Sequence, residues 1–169
     1  MTALCDALLG GRREYKFKES KQGNTALLEI DVDPPYYGRL VGRGGRIVQA
    51  LQVIAALAGN KYGQQQAFQI TKKEYRETGP QLPFVPSMNW NSDWLVDLAQ
   101  DTAEAMFFDE DTAVEVEDHE TGRTSLRFVL SSEEPQHLAD GLVRKSLQNV
   151  FVAIGNANGR KLDVTMERV

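Results

Sequence analysis

The chain matches itself at an offset of 96 residues, and that restricts it to one small fold used twice. Leu51-Gln52 recurs as Leu147-Gln148, Gly59-Asn60 as Gly155-Asn156, and Gly63 as Gly159. Ile54 falls on Val150, Phe68 on Val164 and Ile70 on Met166 without a gap. These are helix-core and helix-end positions, where two copies of one fold should agree. Further upstream the copies part. Gly45 meets Gly141, but Gly42, Arg43 and Gly44 meet Leu138, Ala139 and Asp140. A glycine loop in the first half is erased in the second. The competing reading is two unrelated amphipathic helices that each end in Gly-Asn.

Three of the six prolines lie in Pro80–Pro86. Such a segment is a stiff, extended connector. It divides the chain into 1–79, a connector at 80–90, and 91–169. In the first half, Glu14–Ser20 and Ala26–Val32 read as a hairpin about Lys21–Asn24. A short helix over Tyr36–Val41 ends at Gly42. A longer one over Arg46–Ala58 carries Ile47, Leu51, Ile54 and Ala58 on one stripe and stops at Gly59. Gln66–Lys72 closes the sheet. The second half opens with a helix from Asn91 or Ser92 to Met106, with Trp94, Leu95, Leu98 and Thr102 inward. A hairpin over Thr112–Glu117 and Thr124–Ser131 follows. Then come a short helix after Pro135, a longer one from Gly141 to Ile154 stopped by Gly155, and a strand at Arg160–Glu167. The order α-β-β-α-α-β, with only a stub of the opening helix at Thr2–Leu9 in the first half, implies two α+β sandwiches.

Net charge is −5, which taken alone argues against a nucleic-acid ligand. The distribution argues otherwise. Residues 1–79 hold 12 Lys+Arg against 8 Asp+Glu, and residues 80–169 hold 7 against 16. The basic half carries the glycine loop. Two oppositely charged surfaces docking on each other would produce the same asymmetry.

Several chemistries find no support. No run of 18 apolar residues exists, so no membrane helix is expected. Thr2–Leu9 is too short and lacks the basic flank of a signal peptide. The single Cys5 excludes an internal disulfide and a cysteine metal site, and a reduced cytoplasm is the simplest compartment. His119 and His137 do not stand at metal spacing. Asp109-Glu110-Asp111 and the acids of Glu115–Glu120 lack calcium-loop spacing and read as solvated faces. The glycines fit neither a dinucleotide fingerprint nor a P-loop. No nucleophile setting is recognisable, so neither an enzyme nor a cofactor is expected. Tyr36 and Tyr37 would pack on the sheet or stack on a base. Trp90 and Trp94 would be buried between the halves.

The loop itself is Tyr37-Gly38-Arg39-Leu40-Val41-Gly42-Arg43-Gly44-Gly45-Arg46-Ile47. Glycines let a backbone turn and let another backbone come close. The helix that follows aims N–H groups and partial positive charge at that point. Arg39, Arg43 and Arg46 add full charges. The expected role is to hold a phosphodiester backbone.

These residues resemble the Gly-x-x-Gly segment of KH domains, and most closely the small bacterial type II KH RNA-binding proteins of the KhpA kind. The similarity runs from about Glu14 to Arg76 and rests on Asp33-Pro34, Gly38-Arg39, Val41–Gly45 and Arg46-Ile47. The family's members are usually single units opened by a full helix; taken with the internal repeat, the resemblance implies two tandem type II KH-like units here, the first competent and the second degenerate. It implies a clamp on about four nucleotides of single-stranded RNA, in which Gly42 and Gly45 keep side chains away from the phosphates, Arg43 reaches from the tip, and Leu40, Val41 and Ile47 floor an apolar groove, with single-stranded DNA an alternative ligand, and a chaperone or post-transcriptional role. The acidic second unit would pack on the first, self-associate or hold a protein partner. The rival function is a protein-interaction adaptor whose acidic half is the partner site.

Overall fold

A computed structural model describes residues 1–11, 15–73, 91–107, 112–131 and 141–169. The first half contains α1 (Thr2–Leu8), β1 (Tyr15–Gln22), β2 (Thr25–Val32), α2 (Pro34–Val41), α3 (Arg46–Lys61) and β3 (Gln65–Lys72). The second contains α4 (Ser92–Met106), β4 (Ala113–Asp118), β5 (Arg123–Leu130), α5 (Gly141–Ala157) and β6 (Lys161–Arg168). The Pro80–Pro86 connector, Trp90, the Asp109–Asp111 acids, His137, the helix expected after Pro135 and the erased loop at Leu138–Asp140 lie outside the described residues.

Each half builds a three-stranded sheet, in the orders β1-β2-β3 and β4-β5-β6. In both, an antiparallel hairpin is joined by a parallel third strand, with Ile30 opposite Ile70 and Phe128 opposite Met166. Strict alternation makes this work. Leu28, Ile30 and Val32 of β2 point inward while Leu27, Glu29 and Asp31 alternate with them, and β5 repeats the pattern with Leu126, Phe128 and Leu130. The inward faces are covered by α3 and α5, whose Leu51, Ile54, Leu147, Val150, Phe151 and Ile154 are buried. Phe128 and Phe151 meet edge to face at 5.5 Å.

The expected α+β architecture is present in both halves, and residues 96 apart take equivalent places. Gln52 donates its side-chain amide to the Phe68 carbonyl at 3.2 Å, and Gln148 does the same to Val164 at 3.0 Å. Gly63 and Gly159 both turn the chain with positive φ (67° and 73°) after their helices.

The stop signals at Gly59 and Gly155 are corrected. Neither glycine ends its helix; α3 runs on to Lys61 and α5 to Ala157. Both are buried against the strand that follows. A Cβ on Gly59 would lie 2.6 Å from the Gln64 carbonyl oxygen, and one on Gly155 would lie 2.8 Å from the Leu162 side chain. The pair is conserved between the copies for helix–strand approach and not for termination. The first hairpin is also tighter than expected, with only Gly23 and Asn24 between the strands. The α4 cap is the expected one: Asn91 accepts from the Trp94 amide at 2.8 Å.

The two halves share one apolar core. Helix α3 packs on α5, α4 on α3, and α1 on α5. The exchange is nearly symmetric. Lys61, at the end of α3, donates its ammonium to the Glu104 carbonyl near the end of α4. Asn158, just past α5, donates its amide to the Ala7 carbonyl of α1 at 3.1 Å. Cations and amide donors suit the carbonyl end of a helix. Cys5 is fully buried at the α1 packing surface, and burial pushes its thiol up to about 12, so it stays a neutral packing group. Asn158→Ala should cost about 1–2 kcal/mol, read by urea denaturation. Because the core is shared, the loss should appear as a shift of a single transition; two separated transitions would contradict a common core.

Among the described residues, four acids of the second sheet are engaged across its surface. Arg127 lies 3.4 Å from Glu115 and 3.9 Å from Glu167, and Arg123 lies 3.8 Å from Asp163. Asp118 accepts from Thr124 and Ser92, and those hydrogen bonds hold its carboxyl below the usual carboxylate range. Its contribution is therefore present at neutral pH and fades as pH falls through that lowered value.

Candidate nucleic-acid interface

The chain leaves β2 through Asp33, and Pro34 starts α2, where its missing N–H costs nothing and its fixed φ suits a helix. Asp33 is tied to Lys73, at the end of β3, by a 2.9 Å ion pair. The loop's approach helix is thereby anchored to the sheet. Helix α2 closes with the Gly42 amide on the Gly38 carbonyl at 2.9 Å.

Three left-handed glycines then reverse the chain. Gly42 has φ 74°, Gly44 φ 64° and Gly45 φ 75°. Each such residue other than glycine costs on the order of 1 kcal/mol or more. A single turn over Arg43–Gly45 is closed by the Gly45 amide on the Gly42 carbonyl at 3.1 Å. Gly45 caps α3, whose first turn carries no acid to cancel its partial positive charge.

The three glycines do different work. A Cβ on Gly42 would lie 2.5 Å from Cγ1 of Ile47. That space is filled, so Gly42 lets the turn seat against α3; the expected role of keeping phosphates clear does not fit it. Around Gly44 nothing lies within 4 Å of an added Cβ, and Gly44 is exposed. Gly45 is intermediate, with Gln49 at 3.7 Å. The open approach is thus at Gly44, with exposed Arg43 before it and exposed Arg46 after Gly45.

The remaining expected residues divide. Arg39 sits in the last turn of α2 and is half-buried. Val41 and Ile47 are half-buried beside the turn. Leu40 is corrected: it is 0% exposed and belongs to the core under the loop. A leucine there supports the turn from below and offers no surface as a groove floor. Tyr36 and Tyr37 pack partly on the core, and the Lys72 ammonium stands 6.0 Å from the Tyr37 ring centre. His119 lies in the second hairpin turn against Ser125 at 2.7 Å. Among the described residues no cluster of His, Cys, Asp and Glu could hold a metal ion, and no helix is long and apolar enough to cross a membrane.

The KhpA/KhpB KH-domain model matches residues 2–70, from α1 into β3. The RNA-binding protein KhpA of Aquifex aeolicus (strain VF5) is 30% identical over 63 residues, covering 37% of this chain and 80% of that protein. The chain belongs to the KhpA/KhpB KH-domain family. The KhpA/KhpB match includes the short α1 and encloses the whole glycine turn. One set of neighbours carries no sequence signal. Asn149 and Asn156 of α5 stand near Arg43 and Arg46 across a cleft. They come there by the packing of α5 on α3, which no local pattern announces.

Proposed function

We propose that this chain binds single-stranded RNA in the cytoplasm, with the Gly42–Gly45 turn as a clamp on the phosphate backbone. We also read it as a KH unit at 1–79, a connector at 80–90 and a degenerate KH-like unit at 91–169. The observation that carries the proposal is the open space at Gly44. An exposed, side-chain-free bend lies between two exposed arginines at an acid-free helix start. A phosphate can meet N–H donors and a guanidinium fork there without displacing protein atoms. The RNA-binding protein KhpA supplies the ligand class by likeness. A clamp of this kind grips the backbone and reads bases modestly, which suits an RNA chaperone or post-transcriptional regulator. The cross-strand pairing of Glu115, Asp163 and Glu167 weakens the adaptor alternative on that face, because those acids do not form a single-sign patch.

Anisotropy titration of a short labelled single-stranded RNA at several salt concentrations tests this. With about three or four phosphates neutralised, log K should fall with log salt at a slope of about −2 to −3. A slope near zero would sink the backbone clamp. Gly42→Ala tests the seating of the turn. Strain at φ 74° and the collision with Ile47 should lower stability by about 2 kcal/mol and weaken RNA binding together. Binding unchanged in a folded Gly42→Ala protein would mean that the turn's shape is irrelevant to the ligand.

A further inference from the structure

The cleft beside the loop has walls from both halves. Its volume is about 570 Å³. Arg43, Arg46 and Ile47 form one side, and the opposite side comes from α5 and β6 of the second half. We infer that the degenerate half completes the RNA site: a strand held by its phosphates at the glycine turn lays its bases across α5 and the outer edge of β6. The inference rests on the backbone clamp proposed above.

The chemistry of the wall matches a nucleobase. Val152 and Ala153 of α5 are half-buried and, with Ile47, give the cleft an apolar floor. Asn149 and Asn156 stand on the same helix face, each with an amide that can donate to and accept from a base edge. Thr165 and Asp163, both exposed on β6, line the far side. Strand β6 pairs only with β5 among the described residues, so its other edge is open to the cleft side. Gln148 takes the Val164 carbonyl on that edge, holding α5 and β6 in fixed register. Cations are at one end, where phosphates would sit, and neutral amides and apolar surface lie beyond. That gradient is what a single strand presents, with charged backbone on one side and flat, amphipathic bases on the other.

The cleft also gives the second half a role that its erased loop does not. Its own glycine turn is missing, yet its α5–β6 face is kept opposite the intact turn of the first half. Among the described residues Asp163 is the one acid lining this wall, and Arg123 lies 3.8 Å away to moderate its charge. An accepting carboxylate at that place favours bases with an exocyclic amine, so cytosine, adenine and guanine should all be preferred over uracil there.

The experiment compares three full-length proteins on one short labelled single-stranded RNA: the parent, Arg43→Asp/Gly44→Asp, and Asn149→Glu/Asn156→Glu. The parent is also photo-crosslinked to the same RNA carrying 4-thiouridine, and the attached peptides are mapped. The expected result is loss of binding in the loop variant, about tenfold weaker binding in the α5 variant, and crosslinks on α5 or β6 as well as the loop. If the loop variant loses binding while the folded α5 variant keeps parental affinity and crosslinks stay within the first half, the composite site is wrong and the clamp stands. If the parent does not bind, or the loop variant binds as the parent does, the clamp itself fails and the composite site with it. Should the α5 variant not fold, the crosslink map decides.

Discussion

Arg43→Asp/Gly44→Asp should weaken single-stranded RNA binding on the order of 100-fold, about 2.7 kcal/mol, with the fold intact. Both parts of that statement come from the loop's geometry. Arg43 is exposed, so replacing it disturbs no packing. Gly44 has φ 64°, which aspartate tolerates better than most residues, and an added Cβ there meets nothing within 4 Å. The strain cost is therefore about 1 kcal/mol of stability, small for a chain with a core spanning both halves. At the ligand the change is large. A guanidinium donor is removed and two carboxylates are placed beside the turn proposed to hold the phosphate. A charge-assisted hydrogen bond is worth about 1.5–3 kcal/mol, and repulsion adds to its loss. Anisotropy at low salt measures the effect, and the denaturation midpoint checks the fold. Affinity within a few-fold of the parent, in a folded double variant, would remove the turn from the binding site. An aspartate at Gly42 would mix the charge effect with loss of the turn's seating, because Ile47 already fills the space above it.

Gly59→Ala should destabilise the protein by about 3 kcal/mol, lowering Tm by about 6–12 °C for a chain of this size. The helix propensity gained by alanine, about 1 kcal/mol, is outweighed by a collision that has no easy escape. The new Cβ would stand 2.6 Å from the Gln64 carbonyl oxygen and 2.9 Å from Cβ of Gln66. Both partners are main-chain or next to it, so α3 and β3 must move apart. Gly155→Ala should be milder, since its nearest neighbour is the Leu162 side chain at 2.8 Å and the Arg160 carbonyl is farther, at 3.0 Å. Thermal and urea unfolding of the two variants give the comparison. A Gly59→Ala protein as stable as the parent, or the reverse ranking, would show that these glycines are not the contact points between helix and strand.

Those two glycines illustrate how far the chain could be read directly. Their recurrence at an offset of 96 was visible, but the reason for it was not. A glycine near a helix end is ordinarily read as a stop. Only the return of β3 and β6 against the helices shows that a Cβ is excluded two residues before the end. The loop was legible because its requirements are local. Three glycines, three arginines and a helix start are contiguous, and positive φ is a property of the residue itself. Leu40 was misplaced for the opposite reason. Its hydrophobicity is equally compatible with a groove floor and with a core position, and the rotation of α2 against the sheet decides between them.

Hydrophobic alternation and turn glycines determined the elements, their order in each half and the place of the basic turn, because each depends on neighbours within a few residues, and the repeat at an offset of 96 showed that the order recurs. Tertiary structure alone decided that the halves share a core through α3 and α5, with α1 and α4 each packed on the other half. It also decided that Asn149 and Asn156 face Arg43. These arrangements depend on which of two broad apolar helix faces meets a sheet and which meets another helix. Hydrophobic burial has no direction of its own, so that choice belongs to the packing of the whole molecule.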